Sequence, residues 1–185
     1  MVVEELLQQL DGRLRECCDC ESKVQATCRL LEQSSHCCEL PRRLQQMSAQ
    51  GYARHLVYRH PDDRYCVVAM VWGPGQGTAI HDHDNTWCVE GCVAGQLAIT
   101  SYDVVARHEQ LLELRPERTI EVGVGSVGCL IPPFEHHRIF NPFEREAITL
   151  HIYGKELKQC TRYLETDRPN LYREERVQLG YCSMP

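Results

Sequence analysis

The chain has 185 residues, of which 43% are hydrophobic and 25% charged, as is typical of one soluble globular domain. Its net charge of −6 argues against nucleic acid as a partner, because nucleic-acid binding usually needs a basic surface. No apolar run approaches the ~20 residues that cross a bilayer. The acidic start of the chain lacks the apolar core of a secretory signal. We therefore expect a cytoplasmic protein without a membrane partner.

The cysteines allow three interpretations. Half of the twelve fall in the first 40 residues, at Cys17, Cys18, Cys20, Cys28, Cys37 and Cys38. An extracellular disulfide framework needs a secretory context, which the sequence does not indicate. A structural zinc site usually repeats a CxxC pair, and no such repeat is present. We therefore expect reduced thiols on helix faces.

The first 50 residues predict helices. Apolar side chains recur at the spacing of one helical face in Val3, Leu6, Leu7, Leu10 and Leu14. A second helix is expected over about residues 22–38 and a third, short one over residues 42–49, ahead of Gly51. We expect residues 1–50 to form a helical segment that packs on the rest of the chain.

Residues 51–154 predict an all-β core. Short β-rich runs such as YCVVAMVW and AITLHIY recur about every ten residues, and turn-forming separators such as GPGQG and RPER lie between them. This pattern is typical of a small antiparallel sandwich or barrel. Residues 155–185 are more polar, so we expect a surface tail or a flap over the barrel mouth. The three segments together are expected to form a single domain.

Histidines recur in the predicted strands. In the stretch GPGQGTAIHDHDNTWC, His81 and His83 are two residues apart, so on a strand both point to the same side and Asp82 points to the other. Further histidines occur in PPFEHHRIFNP and in ITLHIY. Neutral imidazole is a good ligand for iron, copper, nickel or zinc. The spacing therefore predicts a metal site inside the barrel.

The first histidine stretch resembles the first motif of the cupin superfamily. Gly75, His81, His83 and Gly95 match its fixed positions, and Cys88 stands where the motif has a glutamate. The resemblance implies a cupin fold, a small antiparallel β-barrel or jelly roll, preceded here by α-helices. It also implies that this site lacks the usual carboxylate ligand.

A second stretch is similar to the second cupin motif. Pro132, His137 and Asn141 fit it, while Phe134 replaces a glycine. This register selects His137 rather than His136 as the third ligand, because only His137 has an asparagine four residues later.

Cupins without the glutamate are the thiol dioxygenases, and residues 52–153 resemble the cysteine dioxygenase family. Three neutral histidines leave the full charge of ferrous iron available for an anionic ligand such as a substrate thiolate. The resemblance implies one Fe²⁺ per chain, held by His81, His83 and His137. Its partners would be a small thiol substrate and dioxygen.

The resemblance also implies roles for residues around the iron. In YARHLV, Arg54 is at the position that grips a substrate carboxylate, with Tyr52 beside it. Thr149, His151 and Tyr153 resemble the family's Ser-His-Tyr set, and their alternation places them on one face of a strand. We expect His151 and Thr149 to orient the phenol of Tyr153 towards the metal.

A thioether crosslink is a further implication. In mammalian-type members, a cysteine at the place of Cys88 is joined to a tyrosine at the place of Tyr153. A cysteine in this register permits the crosslink, and a plain buried thiol is the alternative.

The subgroup features are mixed. Arg54 is typical of the enzymes that oxidise cysteine, whereas glycine after Tyr153 resembles the bacterial branch that oxidises 3-mercaptopropionate. Arg162 falls near the place of a carboxylate-binding arginine in that branch. The first expectation is an L-cysteine dioxygenase that yields cysteine sulfinate, and 3-mercaptopropionate or mercaptosuccinate is the alternative substrate. A non-enzymatic metal-binding cupin sensor is a further alternative. We expect a monomer or a weak homo-oligomer.

Overall fold

The computed structural model describes residues 1–109, 111–133 and 136–184. Phe134, which replaces the glycine of the second cupin motif, lies outside the described residues. Helices form the start of the described chain. They are α1 (Val3–Arg15), α2 (Cys20–Ser34) and the 3-10 helices Ser35–Cys37 and Arg42–Gln45. None of the described helices is both long and apolar enough to span a membrane.

The helices follow their sequence signals. The apolar face of α1 is buried at Val3, Leu6, Leu10 and Leu14. Asp19 caps α2, since its side chain accepts a hydrogen bond from the Ser22 backbone N–H at 2.8 Å. The helix predicted over residues 42–49 is wrong beyond Gln45, where the chain leaves helical geometry at Gln46.

Eleven strands follow in the described residues, and the pairings between them are antiparallel. Their bounds are β1 (Ala53–Arg59), β2 (Cys66–Trp72), β3 (Ile80–His81), β4 (Cys88–Ala94), β5 (Gln96–His108), β6 (Leu111–Gly123), β7 (Val127–Leu130), β8 (His137–Phe140), β9 (Ala147–Tyr153), β10 (Gln159–Glu165) and β11 (Leu171–Gln178). One sheet has the order β1-β2-β9-β4-β7, and the other closes as β10-β11-β6-β5-β8-β3. The predicted cupin-type β core preceded by α-helices is confirmed.

The five-stranded sheet is covered on both faces. Every residue of β2 and β9 is buried, which is why both read as continuous apolar runs rather than alternating ones. Val67 and Leu150 pack towards the helices, whereas Val68 and Trp72 pack towards Leu97 and Ile139 of the closed sheet. The helical segment thus backs the five-stranded sheet and keeps water from one face of it.

Two expectations about the strands are wrong. The predicted separator RPER lies inside the continuous strand β6, where Pro116 stands opposite Tyr102 at a register shift of the pairing. A proline is tolerated in a strand at such a bulge because its missing N–H leaves no ladder bond unmade. The segment predicted as a C-terminal tail or flap contains β10 and β11, which belong to the closed sheet.

The cysteines take no part in disulfides anywhere in the described ranges. A disulfide framework is therefore absent from this part of the chain. The six N-terminal cysteines fall outside the clusters of possible metal ligands found among the described residues. The division between a segment of residues 1–50 and one that begins at residue 51 stays a prediction.

The backbone at Gly95 leaves no room for a side chain, and this predicts the effect of a substitution on stability. It has φ of +71°, and a Cβ there would meet the carbonyl oxygen of Glu146 and lie 2.7 Å from the Ala147 Cα. Gly95→Ala should therefore lower the free energy of unfolding by roughly 2–5 kcal/mol, through left-handed strain and overpacking. Denaturant titration followed by circular dichroism measures this change.

Gly125→Ala is the matched control, because Gly125 has φ of +89° and no atom would lie within 4 Å of an added Cβ. It should cost only the conformational part, about 1–2 kcal/mol. Equal losses in the two variants would contradict the close approach at Gly95.

Candidate metal centre

Three imidazoles converge where β3 pairs with β8 in the closed sheet. His81 ends β3, His83 follows two residues later, and His137 begins β8 directly opposite His81 in the strand pairing. The ring centroids are 4.5 Å apart for His81 and His137, 5.0 Å for His83 and His137, and 5.2 Å for His81 and His83. One nitrogen of each ring lies within 4.8 Å of the others. This group can hold a metal ion.

Asp82 fixes the turn between the first two histidines. Its Oδ1 accepts hydrogen bonds from the backbone N–H of Thr161 at 2.8 Å and of Asp84 at 3.1 Å. Asp84 and Asn85 then reverse the chain with φ of 50° and 58°, a conformation that Asp and Asn tolerate better than most residues. Asp82 therefore holds the loop that carries His83, which agrees with the expected orientation away from the ligands.

The protonation of His81 and His137 suits a metal. Burial, followed by the neighbouring His83, lowers the pKa of His81 to about 3, and burial holds the pKa of His137 well below its usual range. Both imidazoles are thus neutral at pH 7, the form that binds metals. His81 Nδ1 lies 3.1 Å from the Ala79 carbonyl oxygen, so an Nδ1–H donated there leaves the lone pair of Nε2 for a ligand bond.

His137 provides a further sign that the site fits a metal. Both of its ring nitrogens are buried, and neither has a hydrogen-bond partner among the described residues. A buried polar atom without a partner costs free energy. A metal ion between the three rings would satisfy one of these nitrogens.

A hydrogen-bonded chain on β2 and β9 faces the triad. The indole N–H of Trp72 donates to the Thr149 hydroxyl at 2.9 Å, and that hydroxyl lies 2.8 Å from His151 Nε2. Since the hydroxyl accepts from Trp72, its proton is available for His151 Nε2, which leaves the imidazole proton on Nδ1. Burial holds the pKa of His151 well below its usual range. Thr149 and Trp72 thus fix a neutral His151.

Tyr153 lies beside both His151 and the histidine triad. Its ring stacks on His151 with centroids 6.0 Å apart and lies 5.9 Å from the His83 ring. The expected orientation of the Tyr153 phenol by His151 stays a prediction, and this ring contact is the geometry that would support it. The side chain is 1% exposed, and burial raises its pKa well above the usual range, so the phenol keeps its proton at neutral pH.

A cavity of about 460 Å³ opens beside the triad. It is lined by His81, His151 and Tyr153 together with the three predicted substrate residues, Tyr52, Arg54 and Arg162. These six sequence-predicted residues are thus brought together around one space, whereas His83, His137, Thr149 and Cys88 are not part of its lining. Its volume suits a small molecule.

The two arginines differ in their surroundings. Arg54 is 5% exposed, donates to the carbonyl oxygens of Gly180 at 3.0 Å and Leu157 at 3.4 Å, and lies 5.1 Å from the ring centroid of Tyr181. Arg162 is half-exposed and pairs with Glu175 at 2.6 Å. Arg54 is therefore a rigid, buried cation, whereas Arg162 is engaged at the rim of the cavity.

Comparison with known proteins assigns the family. A family model described as cysteine dioxygenase type I matches residues 7–166. The chain belongs to this family. Among curated relatives, cysteine dioxygenase type 1 of Danio rerio is 26% identical over 60% of this chain and 55% of its own length. The protein of that name from Homo sapiens is 27% identical over 59% and 54%. The chain thus spans about half the length of the curated relatives it matches.

Two solved structures of similar fold have lower sequence identity to the chain. A Thermus thermophilus protein has a TM-score of 0.49 at 16% identity and covers 63% of this chain and 95% of its own. A Klebsiella pneumoniae protein with a double-stranded beta-helix domain has a TM-score of 0.49 at 15% identity, over 60% and 84%.

The two residues of the family's crosslink are neighbours in this chain. Cys88 and Tyr153 stand directly opposite each other in the pairing of β4 with β9, and both are buried. Side chains at opposite positions of an antiparallel pair have Cβ atoms about 4.5–5.5 Å apart. The register therefore permits a bond between them.

Glu90 is a feature of the site that sequence reasoning missed. It is 5% exposed, its Oε2 lies 3.4 Å from His151 Nδ1, and its Oε1 lies 3.9 Å from His137 Nδ1. Burial raises its pKa to about 7. Strand alternation could have placed Glu90 in the site, because Glu90 is two residues after Cys88 and therefore lies on the same face of the strand. Together with Cys88 and His151 it forms a second cluster of possible ligands.

The triad generates a metal-binding prediction. His137→Ala should reduce bound metal from about one ion per chain to below about 0.1, because two imidazoles hold a divalent ion far less well than three. Elemental analysis after reconstitution with Fe²⁺ and desalting measures the content.

His136→Ala is the matched control. His136 lies next in sequence, and its Nε2 contacts the Tyr163 hydroxyl at 3.2 Å. This variant should keep about one ion per chain. Loss of metal in His136→Ala with retention in His137→Ala would reverse the assignment.

Proposed function

We propose that the protein is a non-haem Fe²⁺ thiol dioxygenase that converts a small thiol-carboxylate, in the first instance L-cysteine, to its sulfinate. The observation that carries this proposal is the triad of histidines, without a carboxylate among them, beside a cavity that also holds a buried arginine. Both atoms of dioxygen go to the sulfur, which loses four electrons as dioxygen gains four. No further reductant is needed.

The charge of the ligand set favours a thiolate. His81, His83 and His137 contribute no negative charge, so a bound dication keeps its full charge for an anion from the cavity. Ferrous iron held there would supply open coordination positions for the thiolate and for dioxygen and the redox chemistry that joins them. Cys88 occupies the position where most cupins have a carboxylate ligand.

Arg54 anchors the substrate carboxylate. Its guanidinium is buried against Tyr181 and held by two backbone carbonyls, so little side-chain entropy is lost when it binds a ligand. A guanidinium also offers paired N–H groups that match a carboxylate. This fixes the acid end of the substrate and directs its sulfur to the metal.

Tyr153 supplies a hydrogen bond at the reacting end. Its phenol is protonated, so it donates to the substrate or to dioxygen. Thr149 and Trp72 hold His151, and the His151 ring holds Tyr153 in place by stacking. Tyr52 stacks on Trp72 with centroids 4.7 Å apart and closes the cavity wall on the side of Arg54.

Two other substrates stay open. 3-Mercaptopropionate has the same thiol and carboxylate without an amine. Mercaptosuccinate has two carboxylates, and Arg162 at the cavity rim would bind the second. We further propose a reducing, cytoplasmic location, in keeping with twelve cysteines outside disulfides. The protein would act as a monomer or a weak homo-oligomer.

We also propose a Cys88–Tyr153 thioether. Its formation breaks the S–H bond and one ring C–H bond, makes an S–C bond, and passes two electrons and two protons to dioxygen. The protein isolated after incubation with Fe²⁺, thiol and dioxygen should have an intact mass lower by about two hydrogen atoms than the sequence mass. Cys88→Ser, the control, should keep its full mass. An unchanged wild-type mass after many turnovers would contradict the crosslink.

The activity prediction concerns Arg54. The Fe²⁺-loaded protein should consume one dioxygen per sulfinate formed from L-cysteine. Arg54→Gln should lower kcat/KM roughly 10- to 100-fold, because it removes a charge-assisted hydrogen bond to the carboxylate. An oxygen electrode, with sulfinate measured by chromatography, gives both quantities.

Arg162→Gln is the comparison variant, and all three thiols serve as substrates. For the monocarboxylates it should change kcat/KM by less than about threefold, because surface ion pairs contribute little. A larger loss in Arg162→Gln than in Arg54→Gln would contradict the anchor assignment. Metal-loaded protein that oxidises none of the three thiols would overturn the dioxygenase proposal in favour of a binding or sensor role.

A further inference from the structure

Glu90 is a buried acid that the proposed reaction does not use. It lies on β4 opposite His151 of β9 on one side and Gly128 of β7 on the other. Gly128 has no side chain, and a Cβ there would lie 3.8 Å from Glu90 Oε1. The two neighbouring strands therefore leave room for the carboxylate between the sheets.

The surroundings of the carboxylate offer little to compensate its charge. A second cavity of about 240 Å³ borders Glu90, His137 and Thr149, and most of its other lining is apolar. Arg118 also lines this cavity but is exposed. The nearest basic atoms are the Nδ1 atoms of His151, at 3.4 Å, and His137, at 3.9 Å. A buried carboxylate is costly unless it accepts hydrogen bonds or faces a cation.

Both imidazoles can present a proton to Glu90. His151 carries its proton on Nδ1, because Nε2 takes the Thr149 hydroxyl. For His137, Nδ1 faces Glu90, so Nε2 is the nitrogen left for a metal. A histidine that ligates a metal commonly donates its other N–H to a carboxylate, which fixes the ring and strengthens the ligand.

We propose that Glu90 is a positioning residue of the metal centre, whose carboxylate faces the Nδ1 atoms of His151 at 3.4 Å and of His137 at 3.9 Å and orients both rings by charge. This proposal rests on the proposed function, since it assumes that His137 binds the metal. Glu90 would supply, through the imidazole of His137, the negative charge that the three histidine ligands lack. Because Glu90 reaches the metal only through the imidazole, the metal keeps its open positions.

The test is metal affinity in Glu90→Gln and Glu90→Leu. Competition with a chromophoric chelator should give Co²⁺ and Fe²⁺ dissociation constants about 10- to 100-fold higher than in the wild type. Glu90→Leu should show the larger loss, because glutamine keeps one acceptor oxygen. The visible absorption bands of the Co²⁺ protein should shift in both variants. Glu113→Gln, on β6 near His108, is the control and should bind Co²⁺ like the wild type.

Thermal unfolding of the metal-free proteins separates positioning from simple support of the fold. Removing Glu90 relieves the cost of burying its charge but leaves the facing imidazole N–H groups without an acceptor, so the metal-free Tm should change little while the stabilisation by Co²⁺ shrinks. A lower metal-free Tm with unchanged metal affinity and spectrum would overturn the proposal.

Stoichiometry distinguishes a rival arrangement. Two Co²⁺ ions per wild-type chain, with one lost in Glu90→Leu, would mean that Cys88, Glu90 and His151 bind an ion of their own, and would overturn the positioning role. If the wild type binds one ion and oxidises thiols while the Glu90 variants keep its metal affinity and Co²⁺ spectrum, only the positioning role of Glu90 is contradicted. Wild-type protein that binds no metal defeats the proposed function as well.

Discussion

The antiparallel pairing of β3 with β8 sets His81 directly opposite His137, and the chemistry of the protein depends on this one register. Asp82 ties the following turn to β10, which brings His83 beside the other two rings. A shift of either strand by one residue would turn a histidine to the other face. The placement of the three histidines is therefore largely a property of the closed sheet.

The five-stranded sheet supplies the hydrogen-bonded chain that faces the triad. Trp72, Thr149, His151 and Tyr153 come from its adjacent strands β2 and β9, in which every residue is buried. The helices matter for function through this burial, because they cover the outer face of the sheet. Low solvent access keeps the imidazoles neutral and the phenol protonated. Packing and protonation state are thus two results of the same layered arrangement.

Much of this could be predicted from local sequence patterns. The two-residue spacing of His81 and His83 and the alternation along β9 are visible without a structure, because strand geometry has a period of two. The choice of His137 needed the motif register. Glu90 was missed because its partners come from β8 and β9, and no local pattern shows which strands become neighbours.

The wrong predictions have equally physical causes. β11 reads as polar because it is only partly buried, so composition alone suggested a tail. Pro116 suggested a break, but it falls at a bulge where a proline costs no hydrogen bond. In both cases tertiary context outweighed residue preference.

The central claim is that three neutral histidines hold iron and that the substrate thiolate completes its ligand set. X-ray absorption at the iron edge, on Fe²⁺-loaded protein before and after anaerobic addition of L-cysteine, tests this most directly. The account predicts only nitrogen and oxygen neighbours before addition and one sulfur neighbour afterwards. A sulfur neighbour before addition, or none after it, would contradict the account.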